Sequence, residues 1–464
     1  MRDSLFRAAQ QGNYFPMEEP VAQLQDRALT EQMFDTSLYE VECKPALLPK
    51  DEEQMILWPY PKGTGDCIDR ANCTDDFLRS NPDFQVVTEL GLANQPSLSA
   101  IHDDLVVFAP FEVIVPELEI DDDGYLVFRG KRGHAMLNEL SLGYLYRRGI
   151  VNLESSTNEG GESELTVSPG ILTHFINGTR LGLSKALQMD HFQRLSTELK
   201  ELGVRAINHQ VVYSEEQLLA AAASMLKAGL DIVIRPFSAS QGTGVSFLSA
   251  SSFETSFESD MQAVLQGIRA QVQKKYGAEI YYPLTLSPFV ESTKIRDCVT
   301  DIRIFVIYDP KAGGLRSLPA MVRVAQVPLR NRMKIDPACA ATNLNIPQAP
   351  DAVPGSRVLP VANDEVLKQI GIDRERLMAL GKSATLLWGK ALEIEKAESG
   401  SGDDLQFSYG SVDFVIADED KAAVPIEMNG NNVGSHPAVH PKFLSSFGEA
   451  TTSSLKNLGI GDRK

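Results

Sequence analysis

The sequence predicts an α/β (or α+β) fold, and two observations carry that prediction. From about residue 170 onward, short apolar runs that suit buried strands alternate with longer segments of helical spacing. Several of the strand-like runs end in loops rich in glycine or polar residues, where α/β proteins place their functional groups. At roughly 100–200 residues per domain, the 464 residues suffice for more than one packed unit.

The composition restricts the partners. The chain carries 44 Lys and Arg against 62 Asp and Glu, a formal net charge of −18. Nucleic acids and anionic membranes are bound through basic residues that neutralise phosphates, so this balance argues against both as partners. The five cysteines form no C-x-x-C pair, and no apolar run approaches the ~18–20 residues of a membrane helix. We therefore expect a cytoplasmic chain with reduced thiols.

Residues 1–170 contain no motif that indicates a function. The apolar runs 105–115 and 125–129 flank an acidic turn at 119–124, a pattern that predicts a β-hairpin. The Gly/Ser/Glu-rich segment 152–164 is the best candidate for a linker.

The later elements follow from spacing and capping signals. A helix is predicted at 183–202, a strand at 204–212, and a second helix that begins with a capping box at Ser214-Glu215-Glu216-Gln217 and ends at Gly229. Further strands are predicted at 231–234, 245–248, 284–290, 301–308, 319–324, 412–416 and 424–428, and helices at 364–370 and 373–398.

A glycine loop is the most informative local feature. The strand that delivers Arg235 runs into a loop that contains Ser240, Gln241, Gly242, Thr243 and Gly244. Glycines without Cβ atoms let backbone N–H groups approach phosphate oxygens, and the hydroxyls can add donors. The alternative is a tight hairpin turn that needs glycine for positive φ. The loop matches neither a Walker A motif nor G-x-G-x-x-G.

Two strands near the carboxyl end carry oxygen side chains at alternating positions. Glu427 and Asn429 should project from one face while Ile426 and Met428 face the core, and Asp413 alternates likewise with Val412. Carboxylate and amide oxygens that converge from adjacent strands suit Mg²⁺. The alternative is a surface hairpin whose carboxylates are solvated.

Arginines interrupt two apolar strands. Arg303 shares a face with Asp301 and Phe305, opposite Ile302, and Arg323 stands between two valines. A cation inside a β-rich strand is either an ion-paired residue or an anion ligand.

Taken in order, these segments resemble the ATP-grasp superfamily. Its members have a cationic strand followed by a T/S-Q-G-x-G-V loop, and the loop here is similar to that of ligases that add glutamate to protein or peptide ends. The matching segments are Arg235 with the loop at 240–245, the hinge-like Ser287-Pro288-Phe289-Val290-Glu291, the strand Asp301-Ile302-Arg303-Ile304-Phe305-Val306, Met321-Val322-Arg323, Thr342-Asn343, and the two metal-strand segments around Asp413 and Glu427.

The resemblance implies an architecture. It predicts an ATP-grasp fold with a lid subdomain and a mixed-sheet core, preceded by an N-terminal α/β domain. The boundaries that we assign are 1–170 for the N-terminal substrate domain, 171–290 for the lid with the glycine loop, and 291–464 for the core with the metal site.

It also implies roles for individual residues. The catalytic contacts to the transferred phosphate fall on Arg303 and Arg323, and the metal ligands are Asp413, Glu427 and Asn429. The nucleotide-binding residues are Lys185, Arg235, Ser240, Gln241, Gly242, Thr243, Gly244, Phe289 and Val290 at the adenine, Glu291 at the ribose, and Asn343. The expected cofactors are ATP and Mg²⁺, with two ions expected and Mn²⁺ as an alternative.

Two departures from the family pattern affect this assignment. Arg235 stands where the family has a strand-borne lysine, which keeps the charge but changes its shape. An earlier family lysine is missing, because its position is occupied by His191 after Asp190. Lys185, roughly one and a half helical turns earlier, is the candidate replacement.

The function implied is that of an ATP-dependent carbon–nitrogen ligase. It would activate a small-molecule carboxylate as an acyl phosphate and join it to an amine, an amino acid or peptide, with release of ADP and phosphate. The alternatives are a small-molecule kinase on the same scaffold and a non-catalytic ATP-binding module. No nucleic acid or membrane is expected as a partner, and a homodimer is the default oligomer.

Overall fold

The computed structural model describes residues 38–41, 53–60, 74, 77–137, 153–157, 163–167, 173–176, 181, 184–236, 242–276, 283–329, 337–342, 349–353, 358–360, 364–398, 407–430 and 441–460. The first elements in chain order are β1 (Tyr39–Glu40), β2 (Met55–Tyr60), β3 (Gln85–Thr88), α1 (Glu89–Leu92), β4 (Leu105–Pro110), α2 (Phe111–Ile114), β5 (Leu118–Ile120), β6 (Leu126–Phe128), β7 (Lys131–Gly133), β8 (Ala135–Leu137), β9 (Leu153–Thr157), β10 (Ser163–Val167) and β11 (His174–Ile176).

The amino-terminal strands build a parallel sheet in the order β11-β8-β2-β4-β3. Every residue of β2 and β4 is buried. Parallel strands are covered on both faces and therefore form continuous apolar runs rather than alternating ones. The α/β character expected for this half of the chain is thus present in its backbone pairing.

Two local predictions in this region were wrong. The acidic turn does lie in a hairpin, but its first strand is β5, because most of the run 105–115 forms β4 and α2 instead. The turn is ordered by Asp121, which accepts hydrogen bonds from the backbone of Asp123 and Tyr125.

The linker predicted at 152–164 begins with β9, which pairs antiparallel with β10. A polar composition alone does not distinguish a paired hairpin from a linker.

The next elements are α3 (Lys185–Arg194), α4 (Ser196–Glu201), β12 (Gln210–Val212), α5 (Glu215–Lys227), β13 (Ile232–Pro236), β14 (Ser246–Leu248), α6 (Phe253–Tyr276) and β15 (Leu284–Pro288). An antiparallel sheet in the order β12-β15-β13-β14, called the lid sheet below, packs one face against α5 and α6. That face carries Ile232, Ile234 and Leu286. Because strand side chains alternate, Val233, Arg235 and Ser287 lie on the opposite face.

The predicted helix starts and stops in this region were largely correct. Ser214 caps α5 by accepting a bond of 3.2 Å from the N–H of Gln217, so the predicted N-cap is confirmed. The side chain of Gln217 accepts from the N–H of Tyr213, one residue before the position that a capping box requires. The helix predicted at 183–202 is instead two helices with a break at Leu195. The strand predicted at 204–212 shortens to β12, with Val204 in an isolated bridge to Ala423.

The remaining elements are β16 (Lys294–Ile295), β17 (Cys298–Asp309), β18 (Gly314–Val324), α7 (Pro337–Ala340), β19 (Val358–Pro360), α8 (Asp364–Ile370), α9 (Arg374–Glu398), β20 (Tyr409–Ile416), β21 (Ala423–Asn429) and α10 (Pro441–Asn457). The strands order as β1-β18-β17-β20-β21, with β16 on β17 and β19 on β18, and this is the core sheet below. Its strand pairs are antiparallel, and the Val204–Ala423 bridge adds a parallel contact at its edge.

The two faces of the core sheet have different partners. Ile302, Ile304 and Phe414 pack against α9, where Leu380 and Trp388 are fully buried. On the other face the apolar end of β17, with Phe305 and Ile307, packs in one cluster with β2, β4 and the end of α10. The charged residues Asp301 and Arg303 lie at the opposite end of this second face.

These features fit the mixed α/β class predicted from the sequence. The domain boundaries at 170/171 and 290/291 stay predictions. None of the helices in the described ranges combines the length and apolarity needed to cross a membrane.

Candidate active site

A row of charged side chains crosses one face of the core sheet. The strand register places Arg323 opposite Asp301, Asp413 opposite Arg303, and Glu427 opposite Asp413. Directly opposite residues share a face, with Cβ atoms about 4.5–5.5 Å apart. The structure therefore brings together predicted residues that lie more than a hundred positions apart in the chain.

Ion pairs connect the middle of the row. Arg303 donates from Nε to Oδ1 and from Nη2 to Oδ2 of Asp413, both at 2.7 Å, and Arg323 Nη2 adds a third bond to Oδ2 at 2.8 Å. Arg323 also pairs with both oxygens of Asp301, which accepts a further bond of 2.5 Å from Thr342. All of these side chains are buried. Paired guanidinium–carboxylate bonds of this kind combine strength with a fixed orientation.

The electrostatics of the network follow from burial and pairing. Burial alone would raise the pKa of Asp413, but Arg303 and Arg323 outweigh it and hold that pKa at about 2. Burial raises the pKa of Asp301, and the nearby charge of Asp413 adds to this against the opposing effect of Arg323. The Asp413 carboxylate is therefore charged and lies between two guanidiniums, and each arginine of the network has a carboxylate partner.

The other metal candidates lie at the end of the row. Glu427 keeps 30% of its side chain exposed and contacts the ammonium of Lys185, while Asn429 Nδ2 lies 3.3 Å from Asp413 Oδ2. The described residues contain no cluster of three or more His, Cys, Asp or Glu side chains arranged for a metal ion. By donor chemistry the oxygens of Glu427 and Asn429 fit Mg²⁺, whereas the Asp413 carboxylate is already engaged by two arginines.

Arg235 extends from the lid sheet to the core sheet. Its Nη1 donates to the carbonyl of Ile426 at 2.7 Å, and its Nη2 lies 3.3 Å from Met189 Sδ and 3.4 Å from Ser287 Oγ. Burial lowers its pKa, and its Nε has no hydrogen-bond partner among the described residues. This half-buried cation bonds to the residue before Glu427 and has fewer charged partners than the arginines of the core sheet.

The described part of the glycine loop is a tight turn with left-handed glycines. Gly242 and Gly244 both have φ of +72°, and a Cβ at Gly244 would lie 2.7 Å from Pro236 Cγ. The N–H of Gly244 donates to Oε1 of Gln271 on α6 at 2.8 Å. The turn therefore requires glycine for its positive φ angles. The N–H of Gly244, which was expected at a phosphate, bonds to Gln271 instead.

The predicted hinge residues line a cavity. Phe289, Val290 and Glu291 follow β15 and form one wall of a space of about 730 Å³. The cavity is further lined by 205–208, 229–231, Pro288, 417–419 and Val424. Its volume lies within the range of small-molecule sites, about 300–1,000 Å³. Val424 and Glu427 are three residues apart on β21, or roughly 10 Å, so the cavity and the charged row are neighbours. Glu291 itself pairs with Lys294 at 2.5 Å.

The structure places His191, which occupies the expected lysine position, and Lys185, its candidate replacement, in different surroundings. His191 is turned away from the row, with its Nε2 2.9 Å from the carbonyl of Leu387 on α9, and burial lowers its pKa to about 4. Lys185, at the start of α3, reaches Glu427. Of the two, Lys185 is the cation at the site.

Three of the predicted residues, Ser240, Gln241 and Asn343, lie outside the described residues, and Thr243 lies in the turn between Gly242 and Gly244. Sequence reasoning missed Thr342 as a partner of Asp301 and Gln271 as a partner of Gly244. The apolar spacing of Met261, Leu265, Ile268 and Val272 is a helix signal that would have revealed α6 and its Gln271.

Three solved structures are similar to this one at low identity. D-cycloserine synthetase DcsG is 14% identical, with a TM-score of 0.41 over 86% of this chain and 99% of that chain. The biotin carboxylase domain of 2-oxoglutarate carboxylase from Hydrogenobacter thermophilus, in complex with MgADP, ADP and bicarbonate, is 12% identical, with a TM-score of 0.40 over 87% and 70%. D-alanyl-alanine synthetase A from Vibrio cholerae is 9% identical, with a TM-score of 0.39 over 88% and 98%.

All three have the ATP-grasp fold that the sequence motifs resemble. No protein-family model matches this sequence, and no curated protein does.

Proposed function

We propose that this protein is an ATP-dependent ligase that joins a small-molecule carboxylate to an amine. A carboxylate oxygen would attack the γ-phosphorus of ATP, ADP would leave, and an acyl phosphate would form. The amine nitrogen would then attack the acyl carbon, and phosphate would leave as the amide bond forms and the nitrogen loses a proton.

One observation carries the proposal. Arg303 and Arg323 pair with Asp413 and Asp301, and Lys185 pairs with Glu427. Arg235 from the lid sheet reaches the carbonyl of Ile426 and has no carboxylate bonded to it among the described residues. This additional cation, in a chain with a net charge of −18 and next to a cavity of about 730 Å³, suits a polyphosphate nucleotide. An acidic surface elsewhere does not oppose a small ligand that is bound inside.

The residues of the chain have separate tasks in this scheme. Arg235 and Lys185 would bind phosphate oxygens, and the hinge residues 289–291 would hold the adenosine. Arg303 and Arg323, fixed by Asp413 and Asp301, would stabilise charge on the phosphoryl group in transfer. Glu427 and Asn429 would hold Mg²⁺, which supplies charge neutralisation on the triphosphate. Catalysis of this kind depends on positioning and electrostatics and needs no side-chain nucleophile.

A second candidate function is favoured by a specific observation. The two carboxylates that the sequence predicted for a metal, Asp413 and Glu427, are both paired with basic side chains. A module that binds ATP without turnover would tolerate such permanent pairing. The two functions differ in whether ADP and phosphate are released.

The test is release of phosphate and ADP from Mg-ATP in the presence of paired pools of carboxylic acids and amino acids. The ligase predicts release that depends on both pools, with an amide product in mass spectrometry. Glu427→Gln should reduce turnover at least about a hundredfold, in line with the loss of an electrostatic group in the transition state. The matched control is Glu449→Gln, a glutamate that pairs at 3.6 Å with Lys311 on the surface.

One outcome would contradict the ligase, and another would contradict the metal assignment alone. Binding of Mg-ATP without release of ADP over the pools would select the non-catalytic module. Full activity of Glu427→Gln would overturn the metal assignment.

A further inference from the structure

Lys185 is paired with Glu427, the carboxylate that we propose as a ligand of a metal ion. Its ammonium contacts Oε1 of Glu427, and only 10% of its side chain is exposed. A buried ammonium is unfavourable unless it is paired. Glu427 is the partner that the described residues provide, so the pair is the resting arrangement of this end of the row.

The backbone beneath Lys185 is held in place by the side chain of Gln188. Gln188, one turn along α3, donates from Nε2 to the carbonyls of Leu181 and Met428 and accepts from the N–H of Met428. These bonds hold the start of α3 against β21 beside Glu427. Lysine carries its charge on a flexible four-carbon stem, so the ammonium can change partner without movement of the helix.

A second cation, Arg235, lies near Glu427 and indicates where a phosphate would bind. Arg235 bonds to the carbonyl of Ile426, the residue before Glu427. Arg235 and Lys185 thus flank the same carboxylate, one from the lid sheet and one from α3. A phosphate held by Arg235 would lie within the neighbourhood of Lys185.

We propose that Lys185 is an exchange cation, an inference that rests on the proposed nucleotide and metal site. In the free protein its ammonium neutralises Glu427. A divalent ion at Glu427 repels and replaces the ammonium, which then contacts the phosphates of the nucleotide. The carboxylate is thus never left unpaired, and the arrival of the metal places a positive charge on the phosphates.

The exchange predicts opposite effects on two binding steps. In Lys185→Met the metal has no competitor at Glu427, so Mn²⁺ should bind the nucleotide-free protein more tightly, by about fivefold or more. The same variant lacks the phosphate contact, so Mg-ATP at saturating Mg²⁺ should bind more weakly, also by about fivefold or more. Both figures are at the lower end of the range typical of coupled sites, about 5- to 150-fold.

The experiment measures the two steps separately on the full chain. Electron paramagnetic resonance reports binding of Mn²⁺ alone, and titration calorimetry reports binding of Mg-ATP. Lys185→Arg retains a cation and should change each affinity less than Lys185→Met does. The control is Lys390→Met, which removes a lysine that pairs with Glu393 at 2.7 Å on α9, away from the row. Thermal melting checks folding, and Lys185→Gln is the second variant if Lys185→Met unfolds.

The outcomes separate the inference from the proposed function. A purely structural role for Lys185 would weaken both binding steps, and that result overturns the exchange. Unchanged or weaker Mn²⁺ binding in Lys185→Met, with wild-type protein that binds Mg-ATP, rejects the exchange but leaves the proposed function intact. Failure of the wild-type protein to bind Mg-ATP rejects the proposed function and the exchange with it.

Discussion

Arg303 holds Asp413 through two parallel hydrogen bonds of 2.7 Å between adjacent strands of the core sheet. Both side chains are buried, and Asp413 accepts a third bond from Arg323. The pair fixes the guanidinium that the proposed mechanism places at the transferred phosphate. It is also the point at which β17 and β20 are joined by charge as well as by backbone.

We expect Asp413→Asn to destabilise the fold by about 3–5 kcal/mol, because it leaves a buried guanidinium without its counter-charge. The double variant Arg303→Met/Asp413→Asn should recover part of this loss, since Arg323 still pairs with Asp301. Urea unfolding gives the free energies. The control is Asp364→Asn, which breaks an exposed pair with Arg374 and should cost about 1 kcal/mol or less. Equal costs for the two single variants would contradict the prediction.

Arg235 should affect binding and stability in opposite directions. Burial lowers its pKa, its Nε is unpartnered among the described residues, and Glu427 already has Lys185. Arg235→Met should therefore leave thermal stability unchanged or raised, while the affinity for Mg-ATP falls about tenfold with the loss of a charged hydrogen bond. Arg374→Met, at an exposed pair, should alter neither. A variant that melts much earlier and binds normally would show that Arg235 is structural.

Two glycines of the lid should respond oppositely to alanine. At Gly244, φ of +72° and a Cβ position 2.7 Å from Pro236 Cγ predict a loss of at least about 1–2 kcal/mol in Gly244→Ala. At Gly267, within α6, an added Cβ has no atom within 4 Å, so Gly267→Ala should stabilise by about 0.8–1 kcal/mol. Chemical denaturation measures both. A stabilising Gly244→Ala would mean that the loop does not need its left-handed residue.

Much of the candidate site was predictable because strand alternation is a local rule. Residues two apart on a strand share a face. This rule places Glu427 with Asn429 and Asp301 with Arg303, and it sets Asp413 apart from its apolar neighbours. The motifs then supply their order along the chain. The pairing of Asp301 with Arg323 and of Arg303 with Asp413 depends on the register between strands, which the sequence does not state. The sequence therefore does not reveal that both arginines bind Asp413, a carboxylate that was predicted to hold a metal.

The errors have physical causes of the same kind. The run 105–115 is apolar enough for a strand, and only the parallel partners β2 and β3 show that it belongs to the centre of a sheet. The role of Gln271 depends on where α6 lies relative to the glycine loop. The sequence predicted Lys185 only as a replacement for an absent lysine. Its contact with Glu427 depends on the packing of α3 on β21, which the sequence does not show.

The last prediction concerns pH and His191, a buried histidine of α3. Burial lowers its pKa in the folded protein to about 4, with the charge of Arg194 adding to the effect against the hydrogen bond to Leu387. The unfolded chain takes up the proton near the ordinary value of 6.5. Between these values the unfolded state binds more protons, so stability should fall as the pH drops from 6.5 towards 4. The difference of about 2.5 pK units corresponds to about 3 kcal/mol.

Guanidinium unfolding at intervals between pH 4.5 and 7 measures this slope. His191→Gln carries no titratable group and retains a side-chain N–H for the carbonyl of Leu387, so its stability should depend less on pH in this window than that of the wild-type protein. Asp413, with a pKa of about 2, changes its charge below this window. An unchanged slope in His191→Gln would place the acid sensitivity elsewhere and show that the imidazole is not kept neutral by its burial against α9.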